Sequence, residues 1–156
     1  MGERGVSARS FAGRYEVKFD TKQHRAAVPS ELRDLLGEKF IVSKPKVVEK
    51  CLFAYTMEYW DELQEEANRK SSTAKAREHQ RVLGANSRIV TTDKQGRATL
   101  PADLCGKAFL LEENISNILF IGAGRRIEIW NPELFEEEMA RIENEEDDEE
   151  YLDLHF

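Results

Sequence analysis

Long apolar runs are missing from this 156-residue chain, and that absence is the first constraint on it. Nothing in it approaches the ~20 consecutive apolar residues that a bilayer-spanning helix needs. The charged N-terminus carries no apolar core of the kind found in a signal peptide, so the expected location is cytoplasmic. Cysteine is scarce as well. Cys51 and Cys105 stand singly in or beside apolar stretches, with no partner at metal-ligand spacing, and two buried, reduced thiols are expected. His24, His79 and His155 are too scattered for a metal site or a triad. No nucleophile has a base and an orienting acid at a recognisable spacing. The expectation therefore contains no enzymatic activity, metal, cofactor or small-molecule ligand.

A basic surface is also missing if the net charge of −7 is taken whole. That figure averages two unlike parts. Residues 133–153 hold 12 acids against one base, Arg141, giving −11 and leaving +4 for the rest. The first 50 residues carry 11 Lys and Arg against 7 Asp and Glu. A mildly basic body with an acidic tail suits a nucleic-acid partner.

What the chain does have is repetition. Thr92-Asp93-Lys94-Gln95-Gly96-Arg97-Ala98-Thr99-Leu100-Pro101 reads as a tight turn, a short strand and a helix-opening proline. The same order of residue types occurs earlier, from Phe19 through Asp20, Lys22, His24 and Arg25 to Pro29. A second landmark repeats too: Leu52 to Tyr55 followed by Trp60 matches Ile127 to Trp130 followed by Phe135. Two copies of one unit imply a duplicated fold.

In the first copy, apolar residues alternate with charged ones from Tyr15 to Asp20, which predicts a strand with one buried face. Ala26 to Val28 forms its partner, and a short helix follows with Ser30 as N-cap and Gly37 as stop. Strands are expected at Phe40–Val42 and Cys51–Tyr55, then a helical hairpin from Met57 to Leu83 broken at Ser71-Ser72-Thr73. The second copy begins at Gly84, with strands at Arg88–Thr92, Ala98–Leu100, Ile118–Ile121 and Arg126–Trp130 and a helical turn at Ala102–Lys107. Gly122-Ala123-Gly124 reads as a hairpin turn, because the third glycine and the following helix of a dinucleotide loop are missing. Asn131-Pro132-Glu133 opens a last helix with Phe135, Met139 and Ile142 on one face.

The paired hairpins, the aromatic closings and the helical connector together resemble the MraZ family, bacterial regulators with two SpoVT-AbrB-type DNA-binding units. The resemblance covers roughly residues 11–138 and is carried most specifically by Asp93, Gly96, Arg97, Pro101 and Ile127-Glu128-Ile129-Trp130. It implies a mostly β chain with short helices: a duplicated, AbrB-like swapped-hairpin β-barrel in each half, pseudo-two-fold within one chain. The two units are placed at 13–60 and 84–135, with the connector at 61–83. Residues 1–12 are expected to be flexible, and 136–156 to be the last helix end and acidic tail. The resemblance further implies a nucleoid-associated transcription regulator. It would form a homo-oligomeric ring on tandem short repeats of double-stranded DNA, upstream of its own division and cell-wall gene cluster.

The family's DNA-contacting arginine follows the turn glycine, which carries over to Arg97, with Asp93 in the paired acid position. The first copy has no glycine and one extra residue. Counting from Asp20 puts His24 in the arginine's place, whereas counting back from Pro29 puts Arg25 there. The second count is preferred, because strand pairing before the proline fixes register. The extra residue is expected to form a bulge that re-aims the first tip. A β-ribbon fits the major groove, and an arginine on it can bond guanine O6 and N7 together. Asp20 and Asp93 are expected to cap their turns first and to orient the arginines second. Lys22, Lys94, Arg14, Lys18 and Arg88 are candidates for phosphate contact, which sets register rather than sequence. The rival reading is an interaction protein that kept this fold and lost specific DNA binding, motivated by the irregular first turn and the acidic tail.

Overall fold

The computed structural model describes residues 10–46 and 48–145. The first copy contributes β1 (Arg14–Asp20), β2 (Arg25–Ala27), α1 (Ser30–Leu36), β3 (Lys39–Ser43) and β4 (Leu52–Thr56). The connector is α2 (Met57–Arg69) and α3 (Ala74–Ala85). The second copy follows as β5 (Ser87–Thr91), β6 (Arg97–Thr99), α4 (Ala102–Lys107), β7 (Asn117–Ala123), β8 (Arg126–Trp130) and α5 (Pro132–Asn144). All eight strands form one antiparallel sheet in the order β5-β3-β4-β8-β7-β1-β2-β6. Its two outermost strands, β5 and β6, are consecutive and lie against each other, so the sheet nearly closes into a barrel.

The mostly β, duplicated, swapped-hairpin barrel with short helices is borne out, but the two halves build one barrel rather than one each. The first hairpin of each copy leaves its own unit: β1 pairs with β7, and β5 pairs with β3. The seams are completed by β2 against β6 and β4 against β8. β2 and β6 have only three residues each. Four strands that include such a short one cannot enclose a core, whereas eight together do. The swap is thus between the halves, and it produces one barrel with an internal pseudo-two-fold.

Residues from both copies fill that barrel, among them Phe19, Val28, Leu32, Phe40 and Leu52 from the first and Leu100, Leu104, Ile118, Phe120 and Ile129 from the second. A second cluster lies on the outer face, where Ile41, Phe53, Tyr55, Leu119 and Trp130 of the sheet are covered by side chains of α2 and by Phe135 and its neighbours on α5. β3, β4 and β7 are therefore buried on both faces, which is why they read as continuous apolar runs. β1 alternates because one of its faces meets water. Cys51 and Cys105 are free and buried. Burial pushes the Cys51 thiol well up and the Cys105 thiol up to about 12, so neither is a ready nucleophile.

Local expectations hold in part. Gly37 ends α1 at φ 86°, and Asn131 caps α5 by accepting from the amides of Glu133 and Leu134. Thr56 and Thr73 cap α2 and α3 in the same way. Ser30 is not a cap: it is the first helical residue, and Pro29 stands at the N-cap with no side-chain bond. α3 runs through Gly84 to Ala85, past the expected start of the second copy. Gly122 and Ala123 belong to β7, and the chain reverses at Gly124-Arg125 instead. Order also begins before Gly13. Phe11 is 5% exposed, and its amide donates to the Gly124 carbonyl at 2.6 Å. The rest of the segment expected to be flexible, residues 1–9, and the tail beyond 145 lie outside the described residues.

Gly122 is where this N-terminal segment meets the barrel. Its amide donates to the Gly13 carbonyl, and a Cβ built on it would stand 2.3–2.6 Å from backbone atoms of Ala12. Backbone cannot step aside as a side-chain end can. Gly122→Ala should therefore lower stability by about 1–3 kcal/mol, read as a fall in the urea midpoint. An unchanged midpoint would show that residues 11–13 do not pack there in solution.

Candidate nucleic-acid interface

β2 and β6 form a two-stranded ribbon at the centre of the two hairpin tips. Arg25 pairs with Thr99, Ala26 with Ala98 and Ala27 with Arg97, so the pseudo-two-fold passes through the alanine pair. Residues directly opposite share a face, and neighbours along a strand point to opposite faces. Ala26 and Ala98 are buried, which turns Arg25, Ala27, Arg97 and Thr99 together to the outside. Arg25 and Arg97 are diagonal neighbours there, about 7–8 Å apart by sheet geometry.

The pairing settles the register at the first tip. Val28 donates to the Gly96 carbonyl at 3.0 Å, and symmetrically Leu100 donates to the His24 carbonyl at 2.7 Å. Arg25 is thus the equivalent of Arg97, and His24 is the equivalent of Gly96. Both turn residues take positive φ, 58° at His24 and 79° at Gly96. The extra residue lengthens the turn over Thr21–His24, and β2 keeps its pairing on both sides. The expected bulge is therefore corrected: a longer turn takes up the insertion because His24 accepts the left-handed conformation that glycine supplies elsewhere.

The two acids both cap turns but differ in what else they hold. Asp93 Oδ1 accepts from the amides of Gln95 at 2.8 Å and Arg97 at 2.9 Å, while Oδ2 accepts from Arg97 Nε at 2.9 Å. Asp93 is thus both the turn cap and the clamp on the arginine. Asp20 Oδ1 accepts from the amides of Lys22 at 2.9 Å and Gln23 at 3.0 Å. The Arg25 guanidinium donates instead to Gln23 Oε1, a neutral acceptor.

Lys22 and Lys94 are exposed turn residues beside these arginines, and Lys18 stands two residues before Asp20 on the same outer face. Arg14 and Arg88 are not brought to the tips. Arg14 lies six positions up β1 from Asp20, about 20 Å away at the strand rise. There it bonds Glu136 and stacks 5.1 Å over the Phe135 ring. Arg88 bonds Asp103 of α4 at 2.8 Å. Arg33 of α1 was not singled out in the sequence. Its Nη2 donates to the Val28 carbonyl at 2.9 Å, and its guanidinium lies against Gly96. The only sequence signal is that Arg33 falls off the Leu32–Leu36 stripe, as most surface arginines do.

The profile of a family described as "MraZ protein, putative antitoxin-like" matches residues 10–83 and again residues 82–155. The chain belongs to the MraZ family. Each MraZ match contains one acid–arginine–proline hairpin, and the two matches are the halves that interleave in the barrel. Among the described residues no helix is long and apolar enough to cross a membrane.

The Asp93 carboxyl lies below its ordinary value, first because it accepts the Arg97 amide and further because of the Arg97 side chain and the Gln95 amide. Asp20 is lowered by the amides of Gln23 and Lys22. A lowered folded-state pKa means that the turn stabilisation is complete above the ordinary value of 3.8 and is lost as pH falls through the folded one. In a carboxyl-detected NMR titration both aspartates should titrate below 3.8, and the Arg97 Nε–H should lose protection in the Asp93 step. Titration of Asp93 at or above the ordinary value would remove the clamp.

Proposed function

We propose that this protein is a sequence-specific, DNA-binding transcriptional regulator without catalytic activity. Its β2–β6 ribbon enters the major groove with Arg25 and Arg97 facing base edges, and Lys18, Lys22 and Lys94 meet the flanking phosphates. The observation that carries this reading is the pair of arginines on one outward face of a pseudo-two-fold ribbon. Residues 18–25 add three cations against one acid, and residues 91–99 add two against one. That local excess attracts phosphate despite the acidic whole.

One ribbon presents few cations, so useful affinity comes from several ribbons of a ring-like homo-oligomer on tandem repeats. The operator in this reading lies upstream of the protein's own division and cell-wall gene cluster, which places the protein on the nucleoid. The rival is an interaction protein that has lost specific DNA recognition. It is favoured by the first tip, where the arginine bonds the neutral Gln23 and, among the described residues, no carboxylate clamps it.

Fluorescence anisotropy with labelled DNA from that upstream region separates the two. A good bidentate arginine–guanine contact carries about 1–3 kcal/mol. Arg97→Ala should nearly abolish specific binding, because the loss repeats at every engaged ribbon, and Arg25→Ala should weaken it more mildly. Both variants should keep the wild-type melting temperature and oligomer size. Scrambling all repeats but one should cost orders of magnitude in affinity. Equal binding of repeat and scrambled DNA by the wild type would favour the rival.

A further inference from the structure

The two hairpin tips differ in what lies across them, and the difference singles out Arg33. We propose that Arg33 is a positioning residue: lying across the Gly96 turn, it fixes the direction in which Arg97 leaves the ribbon. The inference rests on the DNA-binding reading above and extends it to a residue of α1 that meets no base itself.

Three contacts support it. The Arg33 guanidinium donates to the Val28 carbonyl through Nη2 at 2.9 Å and through Nε at 3.3 Å. The amide of that same Val28 donates to the Gly96 carbonyl. A Cβ on Gly96 would stand 2.4 Å from Arg33 Cζ and 2.7 Å from Nε and Nη1, so the guanidinium occupies the space a side chain would need. Gly96 in turn donates to the Asp93 carbonyl, one residue before the Arg97 amide that Asp93 Oδ1 holds. Arg33 and the Asp93 clamp thus both bear on the Gly96 turn. A planar fork suits this place, because it can lie flat on backbone while bonding a carbonyl edge-on.

The other tip provides an internal control. Counting from Pro29 and Pro101, Arg33 corresponds to Cys105, a short, fully buried side chain. At that tip the turn residue is His24, which has a Cβ. The long side chain lies against glycine at one tip, and by position the short one corresponds to histidine at the other. This exchange gives the second tip a brace with no counterpart at the first among the described residues. A side chain at position 96 would have to displace the Arg33 guanidinium, in addition to taking up a φ of 79°.

The test uses the full-length chain with fluorescein-labelled tandem-repeat and scrambled duplexes, together with NMR of the Arg97 Nε–H. Arg33→Ala should reduce affinity for the repeats about tenfold, on the scale of one weakened base contact. Affinity for the scrambled duplex and its salt slope should not change, and the Arg97 Nε–H should exchange faster. Arg33→Lys should behave like Arg33→Ala, since an ammonium cannot lie flat on the turn. Gly96→Ala reaches the same contact from below, so its effect and that of Arg33→Ala should combine less than additively. A parallel loss on both duplexes with a shallower salt slope would make Arg33 a phosphate contact and overturn the proposal. A lower melting temperature with unchanged repeat-to-scrambled ratio and unchanged Nε–H would reduce it to helix packing. If the wild type fails to discriminate the duplexes, the DNA-binding reading falls, and the Nε–H measurement decides the brace by itself.

Discussion

Everything at the proposed interface depends on the pairing of two three-residue strands through Ala26 and Ala98. Each alanine points inward and is nearly fully buried, 4% and 1% exposed. A larger side chain at this crossing would press into the barrel, where interior packing leaves little spare volume. Because side chains alternate strictly along a strand, this register alone sends both arginines outward, and a slip by one residue would turn them into the core. Burying two guanidinium groups without partners is far more costly than the slip could recover. The hydrophobic pattern of the ribbon and the placement of its cations are therefore one constraint. The flanking bonds from Val28 to Gly96 and from Leu100 to His24 extend the same register into both turns.

The ion pair between Arg97 and Asp93 has a different role. It is exposed on both sides, with 41% and 38% of the two side chains accessible. Exposed pairs of this kind typically add only about 0–1 kcal/mol to stability. What the pair adds is direction: with the Asp93 carboxylate already fixed by two amides, the arginine is ordered before any partner arrives. Ordering a long side chain in advance reduces the entropy lost when it binds. The first tip offers less of this, since Gln23 is itself an exposed, rotamer-rich side chain.

Much of this was legible in the sequence because local rules decide it. Two acid–arginine–proline runs, a β-branched and aromatic pattern at the closing strands, and Asn131-Pro132-Glu133 each carry their own signal, and each element formed where it was placed to within a few residues. Strand partnership is not local. Alternation gives β1 one buried face but names no partner for it, so by pattern that face could be satisfied on β3 or on β7. Only closure of a single core decides for β7, and no window of sequence contains that information. Phe11 was missed for a related reason, since one apolar residue among Gly, Ser and Ala has no periodicity to reveal its place against Gly124. The candidate cations divided the same way. Turn residues could be placed from their turns, whereas Arg14 and Arg88 are held by Glu136 and Asp103, residues 122 and 15 positions away in the chain.

Holding two cations on one ribbon face raises the question of their mutual repulsion. At the ~7–8 Å of a diagonal pair, two unit charges in water repel by only about 0.5 kcal/mol. Salt lowers this further, because the separation approaches the Debye length of ~8 Å at physiological ionic strength. Asp93 cancels part of what remains on one side. The repulsion is therefore smaller than the packing that fixes Ala26 against Ala98, and the ribbon keeps both arginines outward without distortion. It is also smaller than the ~1–3 kcal/mol that one bidentate base contact supplies. A surface built this way gains from a polyanion at both tips at once. The same spacing that costs little in the free protein sets the separation at which the two arginines leave the ribbon.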